Sequence, residues 1–436
     1  MSMRTVAGLS LGCKENTYET SAVLHSFEER GYAVVGPKDE ADVYVLNTCA
    51  VTSTGEQKCR QLLHSLRRSH PQAVICVMGC YSQLDRSPSE TFRDANVVVG
   101  VGQRTALPEL VERYLREGEQ IVSVSDNKKI AYEPMSVASI PGHDRGIIKL
   151  GEGCDRYCSY CIIPYARGNP RSRPLEQIRE EAKALAAAGY KEVVLSATNL
   201  SLYGKDLDTP LTLADAVLAI AETEGISRIR IGSIDPLCLR ELIRRGVLAE
   251  PKVCPHFHLS VQSGCDTVLA RMNRRYTADD CLASMEQARA IRPRVAFSAD
   301  LICGFPGETE EEFAQTLAFV ARGGFMKVHA FPYSPRPGTR AAELEGQLTE
   351  QVKHARVRTL SSAADGTEAA YLSSLVGQEI QVLVESKTRT VEGRRYAFGF
   401  AAEYAKVLLP VRFVARAGEI LTFAAVSVRD GHLLIQ

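Results

Sequence analysis

Cys154, Cys158 and Cys161 stand in C-x-x-x-C-x-x-C spacing within the run Gly153-Cys154-Asp155-Arg156-Tyr157-Cys158-Ser159-Tyr160-Cys161. Three thiolates on one short loop are one fewer than an ordinary iron–sulfur cluster takes. A 4Fe-4S cluster held this way keeps one iron open, and that iron can chelate a substrate or cofactor. Zinc would want a fourth ligand close by, and buried structural thiols rarely fall into such a loop by accident. The spacing therefore favours a cluster over both. Tyr160, just before the third cysteine, is an aromatic placed to pack on a ligand of that cluster, or else a core tyrosine.

Three more cysteines close strand-like runs. Val6–Cys13, Asp42–Cys49 and Ala73–Cys80 each read as a strand that ends on its cysteine and passes into a helical pattern. With the strand Asn96–Gly100 and the helix Ala106–Glu117 they make an alternating β/α array, which implies a parallel sheet. Ligands of such sheets bind beyond the carboxyl ends of the strands, so Cys13, Cys49 and Cys80 converge on one edge. That placement favours a second three-thiolate site over small buried hydrophobes. Cys76 lies inside its strand and Cys59 on the following helix, so both are expected to pack. Cys238, Cys254, Cys265, Cys281 and Cys303 lack ligand-like spacing and read as structural.

The loop at Cys154 must itself be positioned, and the chain around it repeats strand then helix. Strands are expected at Gly146–Leu150, Glu192–Ser196, Ser227–Ile234, Phe257–Val261, Ala296–Cys303 and Lys327–Tyr333. The intervening helices include Pro174–Gly189, Leu213–Glu224, Leu239–Leu248, Thr277–Ile291 and Thr309–Arg322. The array predicts a β/α barrel of about six units, fewer than the eight of a complete one and so open. Asn199, Ser233, Gln262 and Asp300 fall at the carboxyl ends of its strands, where cofactor or substrate contacts are expected. As single residues they are more often the caps and turns of such ends. Gly304–Thr309 lacks the ending of a phosphate-binding loop and reads as a tight turn, with Glu308 and Glu310 in the first turn of a helix. Pro335–Thr339 is expected to close the barrel.

From Val376 the pattern changes to short strands at Glu379–Glu385, Arg395–Phe400, Ala405–Pro410 and Ile420–Val428, which suggests a small five-stranded barrel of the kind used for oligonucleotides. Arg389, Arg394 and Arg395 interleave with Tyr396, Phe398, Phe400 and Tyr404. Such a mixture suits phosphate contact and base stacking, and equally a packed strand with solvated arginines.

The chain has 436 residues, enough for two or three domains, with 45% hydrophobic and 24% charged residues. Thirteen unevenly spaced cysteines fit a reducing cytoplasm and metal ligation better than a disulfide framework. The first residues have no apolar run of signal-peptide type and no stretch approaches a membrane span, so neither secretion nor a membrane partner is expected. A formal net charge of zero confines any nucleic-acid surface to a local patch.

Leu11-Gly12-Cys13-Lys14, Asn47–Thr52 (NTCAVT), Gly79-Cys80, Gly153–Gly168 (GCDRYCSYCIIPYARG), Leu259–Gly264 (LSVQSG), Arg271–Arg274 and Gly304–Thr309 (GFPGET) together resemble the radical S-adenosylmethionine (SAM) methylthiotransferases. The resemblance covers nearly the whole chain. It implies an α/β protein with three parts: an N-terminal methylthiotransferase domain (1–120) with an open parallel sheet, a radical SAM domain (140–375) with a partial β/α barrel, and a C-terminal TRAM-like RNA-binding module (376–436). It further implies two 4Fe-4S clusters. Cys154, Cys158 and Cys161 would hold the one that cleaves SAM to a 5′-deoxyadenosyl radical. Cys13, Cys49 and Cys80 would hold an auxiliary one that carries the sulfur. Tyr160, Asn199, Ser233, Gln262 and Asp300 become the expected SAM contacts, and no side chain is singled out as acid or base.

The implied partners are the anticodon loop of a tRNA and an electron donor such as flavodoxin or ferredoxin. LGCKxNxYE and NTCxVT resemble the branch that methylthiolates C2 of N6-threonylcarbamoyladenosine. The chain departs from that branch at Glu15, Gly55 and Asp235. Arg167, Arg171 and Arg173 are then the nearest candidates in sequence for the carboxylate of that base, and equally for contact with the RNA backbone. The alternatives are a methylthiotransferase for isopentenyladenosine or a ribosomal-protein aspartate, and a non-catalytic iron–sulfur RNA-binding redox sensor.

Overall fold

Strict alternation along the N-terminal strands decides how the first sheet is covered. In the run Val43–Thr48 every residue is buried, with Val43 and Val45 facing one layer of helices and Tyr44 and Leu46 the other. A strand apolar on both faces belongs in a sheet sandwiched by helices. The computed structural model describes residues 3–128, 130–137 and 142–436; the domain boundary expected at 140 lies outside them. The chain divides into two compact units, one of residues 1–140, 151–173 and 334–342, the other of 141–150, 174–333 and 343–436.

In the first unit the order is β1 (Thr5–Ser10), α1 (Lys14–Glu28), β2 (Ala33–Val35), β3 (Val43–Thr48), α2 (Ser53–Ser69), β4 (Val74–Gly79), α3 (Cys80–Leu84), α4 (Pro88–Thr91), β5 (Val97–Val99), α5 (Leu107–Glu117) and β6 (Ile121–Ser123). The sheet runs β2-β1-β3-β4-β5-β6, parallel throughout. Val23, Phe27, Leu107 and Val111 of α1 and α5 pack on one face, and Cys59, Leu63 and Leu66 of α2 on the other. Cys76 and Cys59 are core side chains, as expected. The same unit holds the last residues of β7 (Gly146–Glu152), α6 (Ile163–Arg167) and β8 (Arg171–Ser172), with Glu152 and Gly151 of β7 antiparallel to β8.

The segment expected to close the barrel belongs here too. Residues 334–342 sit in the first unit, where Arg336 pairs with Glu56 and Ala341 N–H donates to Ser159 O at 2.7 Å. The proline-rich run has no strand partners to offer, and it braces the cysteine loop instead.

In the second unit follow α7 (Leu175–Ala187), β9 (Glu192–Ala197), α8 (Leu213–Ala221), β10 (Arg228–Ile231), β11 (Ser233–Ile234), α9 (Pro236–Arg244), β12 (His256–Gln262), α10 (Asp266–Arg271), α11 (Ala278–Ile291), β13 (Ala296–Cys303), α12 (Glu310–Gly323), β14 (Lys327–Pro332) and α13 (Glu350–Ser374). The single strand expected at Ser227–Ile234 is split at Gly232. β10 pairs parallel with β9, and β11 with β12, which continues to β13 and β14. Counting β7, β9, β10/β11, β12, β13 and β14 gives the six-unit partial barrel. Its buried core draws on every strand and on the covering helices, through residues such as Leu195, Ile229, Leu259 and Phe297.

The turn before α12 differs in detail from expectation. Thr309 is the N-cap and forms a capping box with Glu312, so Glu308 stays outside the helix. It is buried, accepts from Gly304 N–H at 2.7 Å and binds Arg356 at 2.7 Å. Burial pushes its carboxyl up, against the pull of these partners.

Glu312 also receives Arg271 at 2.7 Å, and that hydrogen bond is the main reason its carboxyl falls from 4.5 to about 2. A carboxyl with a depressed folded value stabilises the fold fully above its unfolded value, and the contribution is lost as the pH falls through the folded one. Acid titration of unfolding is therefore expected to show a loss of stability between pH 4.5 and about 2 that Glu312→Gln removes.

The chain ends in a closed barrel, β15-β16-β17-β19-β18, built from β15 (Glu379–Val391), β16 (Arg394–Ala401), β17 (Lys406–Leu409), β18 (Ile420–Arg429) and β19 (His432–Ile435). The fifth strand, too short to stand out in the sequence, pairs parallel with β17 and antiparallel with β18. Among the described residues no helix is long and apolar enough to cross a membrane.

Candidate cluster-binding sites

The carboxyl ends of β1, β3 and β4 are neighbours in the first sheet, and each delivers a cysteine. Cys13 is the N-cap of α1, Cys49 follows β3, and Cys80 is the first residue of α3. Two glycines make this possible. Gly12 has φ +113°, and a Cβ there would stand 2.9 Å from Cys49 Cβ and 3.0 Å from its Sγ. Gly79 has φ +112°, and a Cβ there would meet Asn47 Oδ1 at 2.5 Å and Thr48 O at 2.6 Å. Only glycine allows both the left-handed backbone and this closeness. Asn47 and Asn16 lock the edge from beneath, with Asn16 Nδ2 donating to Leu11 O (2.8 Å), Asn47 Oδ1 (3.1 Å) and Thr48 O (3.1 Å).

Burial pushes all three thiols above their ordinary value. Each also feels another: Cys80 works against ionising Cys13, Cys13 against Cys49, and Cys49 against Cys80. The ligand form of each is the thiolate, so a cationic centre bound here would have to displace their protons and would relieve their mutual repulsion. Among the described residues no three His, Cys, Asp or Glu side chains are already drawn together as a metal-binding group. The fit rests on placement, on the glycine-lined close approach and on this chemistry.

The second set lies on the loop after β7. Cys158 is buried, and Cys154 and Cys161 are half-buried. Cys154 N–H donates to Gly168 O and Cys161 N–H to Cys158 O, both at 2.9 Å. Tyr157 takes a positive φ of +46° at the turn, and its ring meets Tyr165 edge-on at 5.7 Å. The loop is thus pinned at its base and at its middle, with α6 closing it. Tyr160, between two of the cysteines, is half-buried.

Between the strand-end cysteines and this loop, inside the same unit, runs a buried charge network. Arg104 pairs with Glu19 (2.6 Å), Glu133 (2.8 Å) and Glu152 (2.9 Å). Arg167 pairs with Glu19 at 2.6 Å and places its Nε 3.2 Å from Cys80 Sγ. Arg171 reaches Glu152 at 3.1 Å, and Arg173 Nη1 lies 3.5 Å from Tyr18 OH. This corrects the expectation that Arg167, Arg171 and Arg173 present cations to a substrate carboxylate. All three are buried, and they serve internal partners. A run of arginines after a cluster loop looks like an exposed anion site in sequence; the carboxylates that bury it, Glu19, Glu133 and Glu152, are scattered along the chain.

Comparison with known proteins agrees with this geometry. The family model described as "Radical SAM superfamily" matches residues 148–320, and the one described as "Uncharacterized protein family UPF0004" matches residues 5–100. The chain is 37% identical over 408 residues (93% of this chain, 90% of the relative) to "Threonylcarbamoyladenosine tRNA methylthiotransferase MtaB" of Bacillus subtilis. The chain belongs to the radical-SAM methylthiotransferase family. It is also 34% identical to "tRNA-2-methylthio-N(6)-dimethylallyladenosine synthase" of Clostridium novyi, over 87% of this chain and 85% of that one. Among solved structures, the radical SAM methyltransferase TsrM of Kitasatospora setae is similar in fold, with a TM-score of 0.55 at 13% identity over 78% of this chain and 74% of that one.

Members of this family use SAM and 4Fe-4S clusters, and the strand ends of the partial barrel in the second unit are where SAM contacts were expected. Asn199, just past β9, accepts from Ser201 N–H at 3.1 Å and so caps a short 3-10 turn. Ser233 Oγ lies 2.6 Å from Ser260 Oγ. Gln262 ends β12 with φ +74°. Asp300 Oδ2 is 2.9 Å from His258 Nε2. His258 Nδ1 in turn meets Ser298 Oγ at 2.8 Å, and its ring lies 5.7 Å from that of His329.

His258 and His329 were not singled out in the sequence, although a polar residue at every second position of β12 (His256, His258, Ser260, Gln262) was a readable sign of a polar face. Burial depresses His329, with Asp300 pulling the other way.

Phe400 and Tyr404 correct the reading of the C-terminal aromatics as base-stacking surfaces. Their rings stack on each other at 4.8 Å, Arg145 covers Phe400 at 4.8 Å, and Arg230 covers Tyr404 at 4.5 Å. Phe400 and Tyr404 are half-buried, and Tyr396 and Phe398 are buried. The cations remain outside: Lys387, Arg389, Arg394 and Arg395 are exposed on the β15–β16 hairpin.

Proposed function

We propose that this protein methylthiolates C2 of N6-threonylcarbamoyladenosine beside the anticodon of tRNA. The observation that supports this most is the gathering, in one compact unit, of two three-cysteine sets: Cys154, Cys158 and Cys161 on a pinned loop, and Cys13, Cys49 and Cys80 on adjacent strand ends. The relative bearing that activity in its name is similar over nearly the whole chain, and the NTCAVT and LGCKENTYE segments favour the same branch.

Cys154, Cys158 and Cys161 would hold the cluster that, with SAM, would supply the radical chemistry, and Cys13, Cys49 and Cys80 the one that would supply sulfur. The chain's own side chains do the holding and orienting. Tyr160, Asn199, Ser233, Gln262 and Asp300 are the residues we assign to SAM. Asp300, fixed by His258, presents a carboxylate oxygen in a constant direction. The target base is reachable because it lies in a single-stranded loop and must be splayed out of its stack. Both the electron donor, of flavodoxin or ferredoxin type, and the cytoplasmic setting belong to this reading.

The exposed hairpin cations are the RNA-facing part of the C-terminal barrel. Because that barrel shares a core with the end of α13, through Leu372 and the Leu375 that follows the helix, against Ile380 and Val382, point changes test it better than deletion. Replacing Lys387, Arg389, Arg394 and Arg395 by serine is expected to weaken tRNA binding. It should also lower the slope of log affinity against log salt by about 1 for each phosphate that is no longer neutralised. Unchanged binding at matched salt would move the RNA surface elsewhere.

The function is tested by turnover on tRNA carrying threonylcarbamoyladenosine against tRNA carrying isopentenyladenosine, read by mass spectrometry of the nucleosides. The first is expected to gain a methylthio group. Preference for the second would overturn the branch while keeping the reaction class.

A further inference from the structure

We propose that Arg167 is a positioning residue that sets the reduction potential of the auxiliary cluster, through its N–H···S hydrogen bond to Cys80. The inference rests on the reading that Cys13, Cys49 and Cys80 hold that cluster. Arg167 sits at the end of α6, six residues after Cys161, and is 2% exposed. Its Nε lies 3.2 Å from Cys80 Sγ. The rest of the guanidinium is clamped: Nη1 donates to Glu19 Oε1 at 2.6 Å and reaches Glu152 at 3.3 Å, while Nη2 meets Glu19 Oε2 at 3.2 Å and Asn16 Oδ1 at 3.3 Å. A planar fork is needed to hold two carboxylate oxygens with one edge while aiming Nε–H at sulfur, which a lysine ammonium cannot do.

The surrounding charges sharpen the point. Arg104, Arg167 and Arg171 face Glu19, Glu133 and Glu152, so the cations and carboxylates of the network cancel. The group that donates to the sulfur is nevertheless a cation. Its guanidinium is charged, as arginine's always is in proteins, and Glu19 pairs with it at 2.6 Å. Reduction adds an electron to a cluster already made anionic by its thiolates, so a fixed positive N–H at a ligand sulfur favours the reduced state. Hydrogen bonds to cluster sulfurs are among the main determinants of potential. A purely structural role, tying α6 to α1 through Glu19, would leave the potential unmoved.

The test uses the full chain with Cys154, Cys158 and Cys161 replaced by alanine, reconstituted anaerobically with iron and sulfide and titrated with dithionite under EPR. In this background Arg167→Met is expected to lower the ratio of reduced to oxidised cluster at a fixed potential about tenfold, or about 59 mV for one electron. Arg167→Lys should recover part of that shift, since it restores charge without the aimed N–H. Glu19→Gln, which removes a nearby negative charge, should shift it the other way. Should Arg167→Met fail to load iron, the opposite shifts of Arg167→Lys and Glu19→Gln decide the matter. Midpoints equal to the parent's in iron-loaded variants would overturn the proposal. An iron-free parent would instead overturn the cluster assignment beneath it.

Discussion

Replacing Cys154, Cys158 and Cys161 together by alanine is expected to abolish SAM cleavage while about four of about eight irons remain, one four-iron cluster being lost. The complementary change, Cys13, Cys49 and Cys80 to alanine, should remove a like amount of iron, keep SAM cleavage and stop methylthiolation. The asymmetry follows from position. The first three thiols share one loop whose backbone is held by Cys154–Gly168 and Cys161–Cys158 hydrogen bonds. The second three come from three separate strands and share only their sheet edge. Loss of either set leaves the other's scaffold standing. Iron content that is unchanged by the second triple substitution, measured beside SAM cleavage and tRNA product, would refute the auxiliary assignment. Retained SAM cleavage after the first would refute the other.

The strand ends that carry the cysteines were legible because their cues are local: an apolar run, a cysteine at its close, and a helical pattern after it. Parallel-sheet topology then sets the ends of β1, β3 and β4, which lead into Cys13, Cys49 and Cys80, side by side. The six-unit partial barrel was legible for the same reason. What the sequence hid was pairing at a distance. Arg167 and Glu19 are 148 positions apart, and nothing near Arg167 announces a carboxylate partner, so a buried cation beside Cys80 passed for a substrate contact.

β19, four residues long, is defined by its partners β17 and β18 and not by its own pattern. Phe400 and Tyr404 look like a stacking platform until Arg145 and Arg230, far upstream, are found lying on them. Binary pattern predicts elements well; it does not say which charged residue a fold will bury.

Glu192→Ala is expected to lower the stability of the second unit by about 3–5 kcal/mol, the cost of leaving buried charges without their partner. Glu192 opens β9 and is fully buried, with Arg230 at 2.7 Å and Arg228 at 3.5 Å, both buried. Arg230 also donates to Ala402 O at 3.1 Å and lies over Tyr404, so one carboxylate anchors the cation on which the C-terminal barrel rests. Burial by itself would raise the Glu192 carboxyl, but Arg230, Arg145 and Arg228 outweigh it and hold it below the ordinary range.

The sign of the pH effect follows. A depressed folded value means the contribution is complete at neutral pH and lost only as the pH falls through that value. The wild type should therefore lose this part of its stability only at acid pH, and Glu192→Ala should lack it at every pH. The double change Glu192→Leu with Arg230→Met should recover much of the loss, since an apolar pair of similar volume often replaces a buried ion pair at little cost. The measurement is chemical unfolding followed by a probe in the C-terminal barrel and another in the partial barrel. A single-substitution loss below about 1 kcal/mol, the range of exposed pairs, would show that the joint does not depend on this carboxylate. A large loss seen only by the C-terminal probe would show that Glu192 acts there, as the anchor of Arg230, and not within the partial barrel from which it comes.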